Sequence, residues 1–167
     1  ALWFRLASGG VPVTAPSPHA EANTRAAIFD AFVRREVYAT TGTGITVRVF
    51  AGWHFAESDA ARPDFAAHGY ANGVPMGGDL PSATGDKTPG FLVHAMRDPD
   101  GANLDRIQIV KGWLDRKGKT HEKVYDVSWS AGREPGPDGT LPPVGMKLPS
   151  VTYRLSTSWA RQSAFST

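Results

Sequence analysis

The clearest pattern in the chain is a helical stripe of apolar residues that begins just after residue 23. Asn23 or Thr24 can cap the first turn, and apolar side chains then recur at spacings of three and four residues. The stripe consists of Ala27, Ile28, Ala31 and Phe32, widened by Phe29 and Val33. This spacing predicts one helix over about residues 24–35.

Beyond this helix the pattern changes to the period of two that is typical of strands. Ile45, Val47 and Val49 alternate with other side chains, which predicts a strand with one face on a core. Further strands are expected at residues 36–40, 91–96, 106–113, 121–130 and near 151–155. Because parallel strands need crossover helices, this order predicts an α+β fold, mainly β, with an antiparallel sheet or sandwich preceded by one helix.

The remaining stretches have the composition of loops. The chain contains 18 Gly and 13 Pro among 167 residues, well above average usage. Residues 1–20, 56–75 and 131–149 are therefore expected to be loops, and the glycine-rich residues 73–81 to form a tight turn. Gly118 fits a hairpin turn before the strand at 121–130.

The composition of the chain argues against several classes of function. The length suits one domain with a real core, and the absence of cysteine excludes disulfides, thiolate catalysis and cysteine-ligated metals. A net charge of +2 with interspersed signs argues against nucleic-acid binding. No apolar run approaches the roughly 20 residues of a membrane span.

The best local candidate for chemistry is an acidic loop around Gly101. The oxygen-bearing side chains of Asp98, Asp100, Asn103 and Asp105 are the ligands that calcium prefers, so the loop is a candidate calcium site. The spacing does not match an EF-hand, and a β-turn capped by its own Asp and Asn side chains explains the same residues. No catalytic residue and no other cofactor site are predicted.

Other candidates are scattered along the chain. No two histidines have the spacing of a metal pair on one helix or strand, and His94 is expected to be structural. A complete metal enzyme would need His54, Asp59, His68 and Asp79, which lie in a stretch expected to be loop-rich. Trp53 and Trp113 are candidates for a sugar-stacking platform, although Trp113 and Trp129 also fit core positions of strands.

Five runs of the sequence resemble the C-terminal part of the bacterial domain-of-unknown-function 3604 family, which is related to PHP (polymerase and histidinol phosphatase) metal-dependent hydrolases. They are AEANTRAAIFDAF (20–32), RREVYATTGT (34–43), GYANGVPMGGDLP (69–81), DPDGANLDRIQIVKGW (98–113) and EKVYDVSWS (122–130). The resemblance covers about residues 8–145. Gly44 stands where the family pattern has Arg, and residues 1–7 and 147–167 do not follow the pattern.

The resemblance implies a particular domain organisation. Residues 1–44 would be the tail of a PHP-like barrel, containing its last helix and a strand, and residues 45–167 an antiparallel β-rich domain. The metal ligands of the family are expected in upstream Gly-Asp-Leu-His and Ser-Asp-His motifs, which this sequence does not contain. The partner would be the missing N-terminal PHP-like domain, and truncation or processing would explain the absent initiator Met. Because members of that family are often exported, the resemblance also implies a location in the periplasm or outside the cell.

These observations lead to two expectations of function. The first is a noncatalytic C-terminal fragment of a PHP-like, phosphoesterase-like hydrolase. The alternative is a self-contained β-sandwich module that binds carbohydrate or calcium through Trp53, Trp113 and residues 98–105.

Overall fold

The computed structural model describes residues 2–7, 14–41, 44–83, 87–101, 104–129, 132–137, 141–142 and 153–154. Nine strands, two α-helices and one 3-10 helix follow one another along these residues. In chain order they are β1 (Leu2–Ala7), β2 (Thr14–Pro18), α1 (Arg25–Val33), β3 (Val37–Thr41), β4 (Thr46–Gly52), the 3-10 helix (Glu57–Ala61), α2 (Phe65–Asn72), β5 (Val74–Pro75), β6 (Gly90–Met96), β7 (Arg106–Leu114), β8 (Thr120–Trp129) and β9 (Tyr153–Arg154).

Every strand pairing in the described residues is antiparallel. The strands form a three-stranded sheet in the order β1-β7-β8, a pair β2-β3 and a four-stranded sheet in the order β5-β4-β6-β9. The expected α+β fold, mainly β and antiparallel, is confirmed.

Helix α1 lies where the apolar stripe predicts it. The Thr24 hydroxyl accepts a hydrogen bond of 3.3 Å from the Ala27 N–H and caps the first turn. At the other end Arg35 adopts a left-handed backbone with φ of 62°, and the Arg35 N–H donates to the Phe32 carbonyl. This residue turns the chain directly from α1 into β3.

Two of the predicted loops are wrong. Residues 56–75 contain the 3-10 helix and α2, and residues 1–20 contain β1 and β2. Helix α2 has only eight residues and includes a glycine, so its period is too short to detect in the sequence. Strands β1 and β2 form because β7 and β3 offer pairing partners distant in sequence, which local composition does not show.

The β4-β6 ribbon carries two apolar cores, one on each face. Val47 and Val49 of β4 pack with Val93 and Ala95 of β6 and with Ile107 of β7. On the opposite face Phe50 and Leu92 pack against the 3-10 helix and α2. Successive side chains of a strand point to opposite faces, so the apolar residues of this ribbon occupy both faces. Each of the two faces is covered by other elements.

Strands β7 and β8 form a long hairpin. Gly118 occupies the left-handed region with φ of 77°, and the Asp115 carboxylate accepts hydrogen bonds from the backbone N–H groups of Lys117 and Lys119. Both features confirm the predicted turn. Strand β1 joins this hairpin across the predicted domain boundary at residues 44 and 45, and the boundary stays a prediction. No helix within the described ranges is long and apolar enough to cross a membrane.

Candidate functional site

The most buried charged side chain among the described residues is that of Glu36, at the junction between α1 and β3. Only 4% of the residue is exposed. Tyr70 Oη donates a hydrogen bond of 2.7 Å to Glu36 Oε2, and Arg34 Nε donates one of 3.1 Å to Oε1. The left-handed Arg35 directs Glu36 inward, where its backbone N–H donates to the Ala31 carbonyl.

The imidazole of His19 lies in the same polar network. His19 Nε2 is 2.9 Å from the Val47 carbonyl oxygen, which only accepts, so Nε2 carries the proton. Nδ1 is then free to accept from the Arg48 guanidinium at 3.2 Å. Burial, followed by the nearby Arg48 charge, lowers the pKa of His19 below its ordinary 6.5. His19 is therefore held in the neutral form.

Tyr70 links the two halves of this network. Its ring lies 5.9 Å from the Arg48 guanidinium, and its hydroxyl bonds Glu36. Burial and the hydrogen bond to Glu36 raise the pKa of Tyr70, so the phenol stays protonated. The network thus connects the end of β2, the start of β3, β4 and α2 through satisfied polar groups. We call His19, Arg34, Glu36, Arg48 and Tyr70 the Glu36 network.

Sequence reasoning missed the Glu36 network. Its members are separated by up to 51 positions in the chain, between His19 and Tyr70, and none belongs to a catalytic or metal-binding motif. The only local signal is a glutamate placed directly before a β-favouring run, and that pattern does not show burial. Since every titratable member is hydrogen-bonded to another, the network holds elements together rather than offering a free acid or base.

The predicted calcium ligands have different partners in the structure. Asp98 Oδ2 accepts the Gly44 N–H at 2.8 Å and Oδ1 accepts the Asp100 N–H at 3.0 Å; these two hydrogen bonds lower the pKa of Asp98. Asp105 instead pairs with Arg106 at 2.8 Å and with Arg133.

Asn103, the remaining predicted ligand, lies outside the described residues, and Asp100 is exposed. The contacts of Asp98 are those of a capped β-turn, and the calcium site stays a prediction.

The four residues of the conceivable metal enzyme are only partly brought together. His68 Nε2 lies 3.2 Å from Asp59 Oδ1, and both side chains are largely buried. His54 instead lies 3.5 Å from the Lys87 ammonium, and the exposed Asp79 pairs with Arg35. Over the ranges that the structure describes, no group of three or more His, Asp or Glu side chains is arranged to hold a metal ion.

Of the five tryptophans, three have side chains that the structure describes, and of these two are anchored and one is exposed. Trp53 is half-buried and its indole N–H donates to the Pro81 carbonyl at 3.0 Å, while Trp129 donates to the Arg133 carbonyl at 2.9 Å. Trp113 is 40% exposed, so its prediction as a core residue is wrong. It lies near the turn of the β7–β8 hairpin, beyond the end of β1, where no described strand covers it.

Trp113 belongs to a row of cationic and aromatic side chains on one face of the β7–β8 hairpin. Its ring stacks on His121 at a centroid distance of 5.3 Å and an interplanar angle of 17°, and Lys111 Nζ lies 5.0 Å from the ring centroid. Lys123 Nζ lies 4.9 Å from the ring centroid of Tyr125. We call Lys111, Trp113, His121, Lys123 and Tyr125 the hairpin face.

These features define an antiparallel, β-rich protein whose buried polar groups serve mainly to join its elements. The chain belongs to the family described as protein of unknown function (DUF3604), whose model matches residues 4–163. The match includes most of residues 1–7 and 147–167, so the expectation that both ends depart from the family is wrong. No curated protein and no solved structure matches the chain.

Proposed function

We propose that this chain acts as the noncatalytic C-terminal part of a PHP-like, phosphoesterase-like metal-dependent hydrolase and packs against an upstream metal-binding domain. Membership of the family supports the assignment. The observation that carries it is an apolar face of α1 that the described part of the molecule leaves uncovered.

The uncovered face consists of three large side chains. Phe29 is 65% exposed, Phe32 44% and Val33 65%, whereas Ala31 is fully buried. Positions separated by three and four residues lie on one side of a helix, so the three side chains form a continuous surface. Helices normally turn such a face toward a core, and exposed apolar patches mark interaction sites. By resemblance α1 is the last helix of the PHP-like barrel, which makes that domain the occupant of this face.

The carboxylates and histidines of the described residues do not fit a hydrolytic metal centre. Glu36 accepts from Tyr70 and Arg34, Asp59 faces His68, and Asp105 pairs with two arginines. A carboxylate engaged by an arginine is a poor ligand for a cation, because the guanidinium already occupies its lone pairs and repels the metal. Metal binding would accordingly belong to the upstream domain.

A direct test of the noncatalytic role is an activity assay with the chain alone. We expect no release of p-nitrophenol from p-nitrophenyl phosphate or its diester, with Mn²⁺ or Zn²⁺ added, above the level of a heat-denatured sample. Metal-dependent turnover that is absent from the denatured sample would overturn the noncatalytic role.

The docking partner is tested with the α1 face itself. The chain is titrated calorimetrically with a PHP-like metal-binding domain from a longer relative, and we expect binding that the double variant Phe29→Gln/Val33→Gln abolishes. Val124→Gln, at another exposed apolar position, is the matched control and is expected to bind like the wild type. Equal binding by the wild type and the α1 variant, or no binding by either, contradicts the docking proposal.

The second candidate function is a binding module for carbohydrate or calcium. The 40% exposure of Trp113 favours carbohydrate, because an exposed indole offers a surface for stacking against a sugar ring. The anchored Trp53 lends no such support. Calcium is tested by thermal unfolding with and without millimolar calcium; an unchanged midpoint overturns the calcium site.

A further inference from the structure

The end of the β7–β8 hairpin extends beyond the strand that flanks it. Strand β1 pairs with β7 only from Arg106 to Lys111, whereas the pairing of β7 with β8 continues to Leu114 and Thr120. No described strand therefore pairs with the last residues of β7 on the side away from β8. We call residues 113–123, which include the turn, the hairpin tip.

The hairpin tip carries a large share of the charge of the chain. It contains four basic residues and two acidic ones, so its net charge is +2, which equals the net charge of the entire chain. The basic residues are all exposed; they are Arg116, Lys117, Lys119 and Lys123. The positive charge that the composition distributes along the chain is therefore balanced everywhere except at this end of the hairpin.

The two acidic residues of the hairpin tip are directed away from its basic end. The Asp115 carboxylate accepts hydrogen bonds from the backbone N–H groups of Lys117 and Lys119 and lies 2.9 Å from His121 Nε2. These contacts form the turn itself and hold the backbone from which the two lysine side chains extend. Glu122 pairs with Gly112, one pair further from the turn than Trp113.

Two large apolar side chains lie directly behind the basic turn. Trp113 is 40% exposed and Leu114 67% exposed. Because the two residues are consecutive in a strand, their side chains point to opposite faces of the hairpin. A strand rises about 3.4 Å per residue, so both lie within about 7 Å of the turn. Exposed apolar side chains of this size, next to basic residues, are typical of an interaction site.

The partner of the hairpin tip must contact cationic groups at its end and apolar groups on both of its faces. A flat protein or nucleic-acid surface contacts one face of a hairpin, whereas the fluid head-group layer of a membrane can surround its end. This layer offers lipid phosphates together with acyl chains, and interfacial segments enter it by about 5–10 Å. Tryptophan is enriched at this depth, and anionic leaflets attract lysine and arginine.

We propose that the hairpin tip docks on an anionic lipid surface. The basic side chains of the turn contact lipid phosphates, while Trp113 and Leu114 enter the head-group layer from the two faces of the hairpin. This interaction goes beyond the proposed function and does not rest on it, because it involves no residue of the α1 face.

The test is sedimentation of the purified chain with sucrose-loaded vesicles. The vesicles consist of phosphatidylcholine alone or of a two-to-one mixture of phosphatidylcholine and phosphatidylglycerol. We expect binding to the mixed vesicles only. Lys117→Gln/Lys119→Gln should weaken it about fivefold for each lysine removed. Arg25→Gln/Lys87→Gln removes the same charge at exposed positions elsewhere and is the matched control, expected to bind like the wild type.

The apolar contact is tested separately with Leu114→Gln. We expect about tenfold weaker binding to the mixed vesicles, because a leucine side chain that leaves water gains roughly that factor. Met96→Gln, at a residue that is 49% exposed elsewhere on the surface, is the control and should bind like the wild type. Circular dichroism checks that each variant is folded.

Four outcomes would overturn the proposal. The first is equal binding to both kinds of vesicle, or binding to neither. The second is equal weakening by the two charge variants, which would show a general charge effect. The third is a loss of binding in Phe29→Gln/Val33→Gln with the tip variants unchanged, which would assign the vesicle contact to α1. The fourth is tight binding of single-stranded polythymidylate with no effect of Leu114→Gln on either ligand, which would indicate a nucleic-acid site.

Discussion

The Glu36 carboxylate is a charged group in a position where only 4% of the residue meets solvent. Burial of a carboxylate is costly unless its oxygens receive hydrogen bonds, and charged donors compensate best. Tyr70 and the Arg34 guanidinium supply one donor to each oxygen. Removing either donor should therefore cost more than an ordinary surface hydrogen bond.

Tyr70→Phe is expected to lower the free energy of unfolding by about 1–2 kcal/mol, because it leaves a buried carboxylate oxygen without its donor. The measurement is urea unfolding followed by tryptophan fluorescence. In a Glu36→Gln background the same change should cost less, since a neutral amide loses less when a donor is removed. Additive effects of the two substitutions would contradict a direct Tyr70–Glu36 interaction.

His19 should make stability depend on pH below about 6.5. Its pKa is lowered in the folded state, mainly by burial and then by Arg48, although the hydrogen bond to the Val47 carbonyl and the Glu36 charge act in the opposite direction. As the pH falls below the ordinary value of 6.5, the unfolded chain takes up this proton first. The contribution of neutral His19 is thus complete above that pH and decreases as the pH falls through the folded-state pKa.

We therefore expect the urea midpoint to fall between about pH 7.5 and about pH 5, and to fall less in His19→Gln, which keeps a donor for the Val47 carbonyl but does not titrate in this range. His54→Gln, at an exposed histidine, is the control and should retain the wild-type slope. An unchanged slope in His19→Gln would show that the pH dependence arises elsewhere.

Helix α2 comes very close to the sheet at Gly69, which faces the ring of Phe50. Gly69 is the buried residue of α2, and a Cβ atom built there would overlap the ring of Phe50. Phe50 is itself fully buried in the core between β4, β6 and α2. The glycine permits the helix to contact the sheet, although glycine is a poor helix former.

Packing and helix propensity predict opposite effects for Gly69→Ala. Propensity alone would stabilise the chain by about 1 kcal/mol, whereas overpacking of a rigid core costs about 1–3 kcal/mol. We expect net destabilisation, visible as a lower thermal midpoint. Ala67→Gly, at an exposed position of the same helix, is the control and should cost up to about 1 kcal/mol. A more stable Gly69→Ala chain would show that α2 does not press on Phe50.

At the scale of the whole molecule, the core clusters of the described residues lie on the two faces of the β4-β6 ribbon, and the apolar face of α1 belongs to neither of them. This arrangement separates side chains that stabilise the chain from side chains available to a partner. Substitution on the α1 face should accordingly change binding without changing folding.

The double variant Phe29→Gln/Val33→Gln is expected to keep the free energy of unfolding within about 0.5 kcal/mol of the wild type, because both residues are 65% exposed. Ala31→Gln, which places a large polar group at a fully buried position of α1, should cost more than about 2 kcal/mol. Chemical denaturation measures both. Strong destabilisation by the double variant would mean that this face already packs within the chain.

Much of the fold could be predicted from local patterns. The stripe before residue 35 identified α1, alternation identified β4 and β8, apolar runs identified β6 and β7, and the turn residues at 115–119 identified the hairpin turn. These elements carry long periodic patterns or special turn residues. Helix α2 and strands β1 and β2 were missed because a short helix has too few turns and a strand needs its partner.

The candidate sites depended more heavily on tertiary contacts. The sequence by itself determined which residues form the acidic loop, which runs resemble a family and where the tryptophans stand in the chain. Residue identities and their spacing do not depend on how the chain folds. Only the tertiary structure placed Tyr70 on Glu36, left Trp113 and the α1 face exposed, and set Lys111 opposite Lys123. Burial and strand register arise from contacts between segments far apart in the chain, so no single segment contains them.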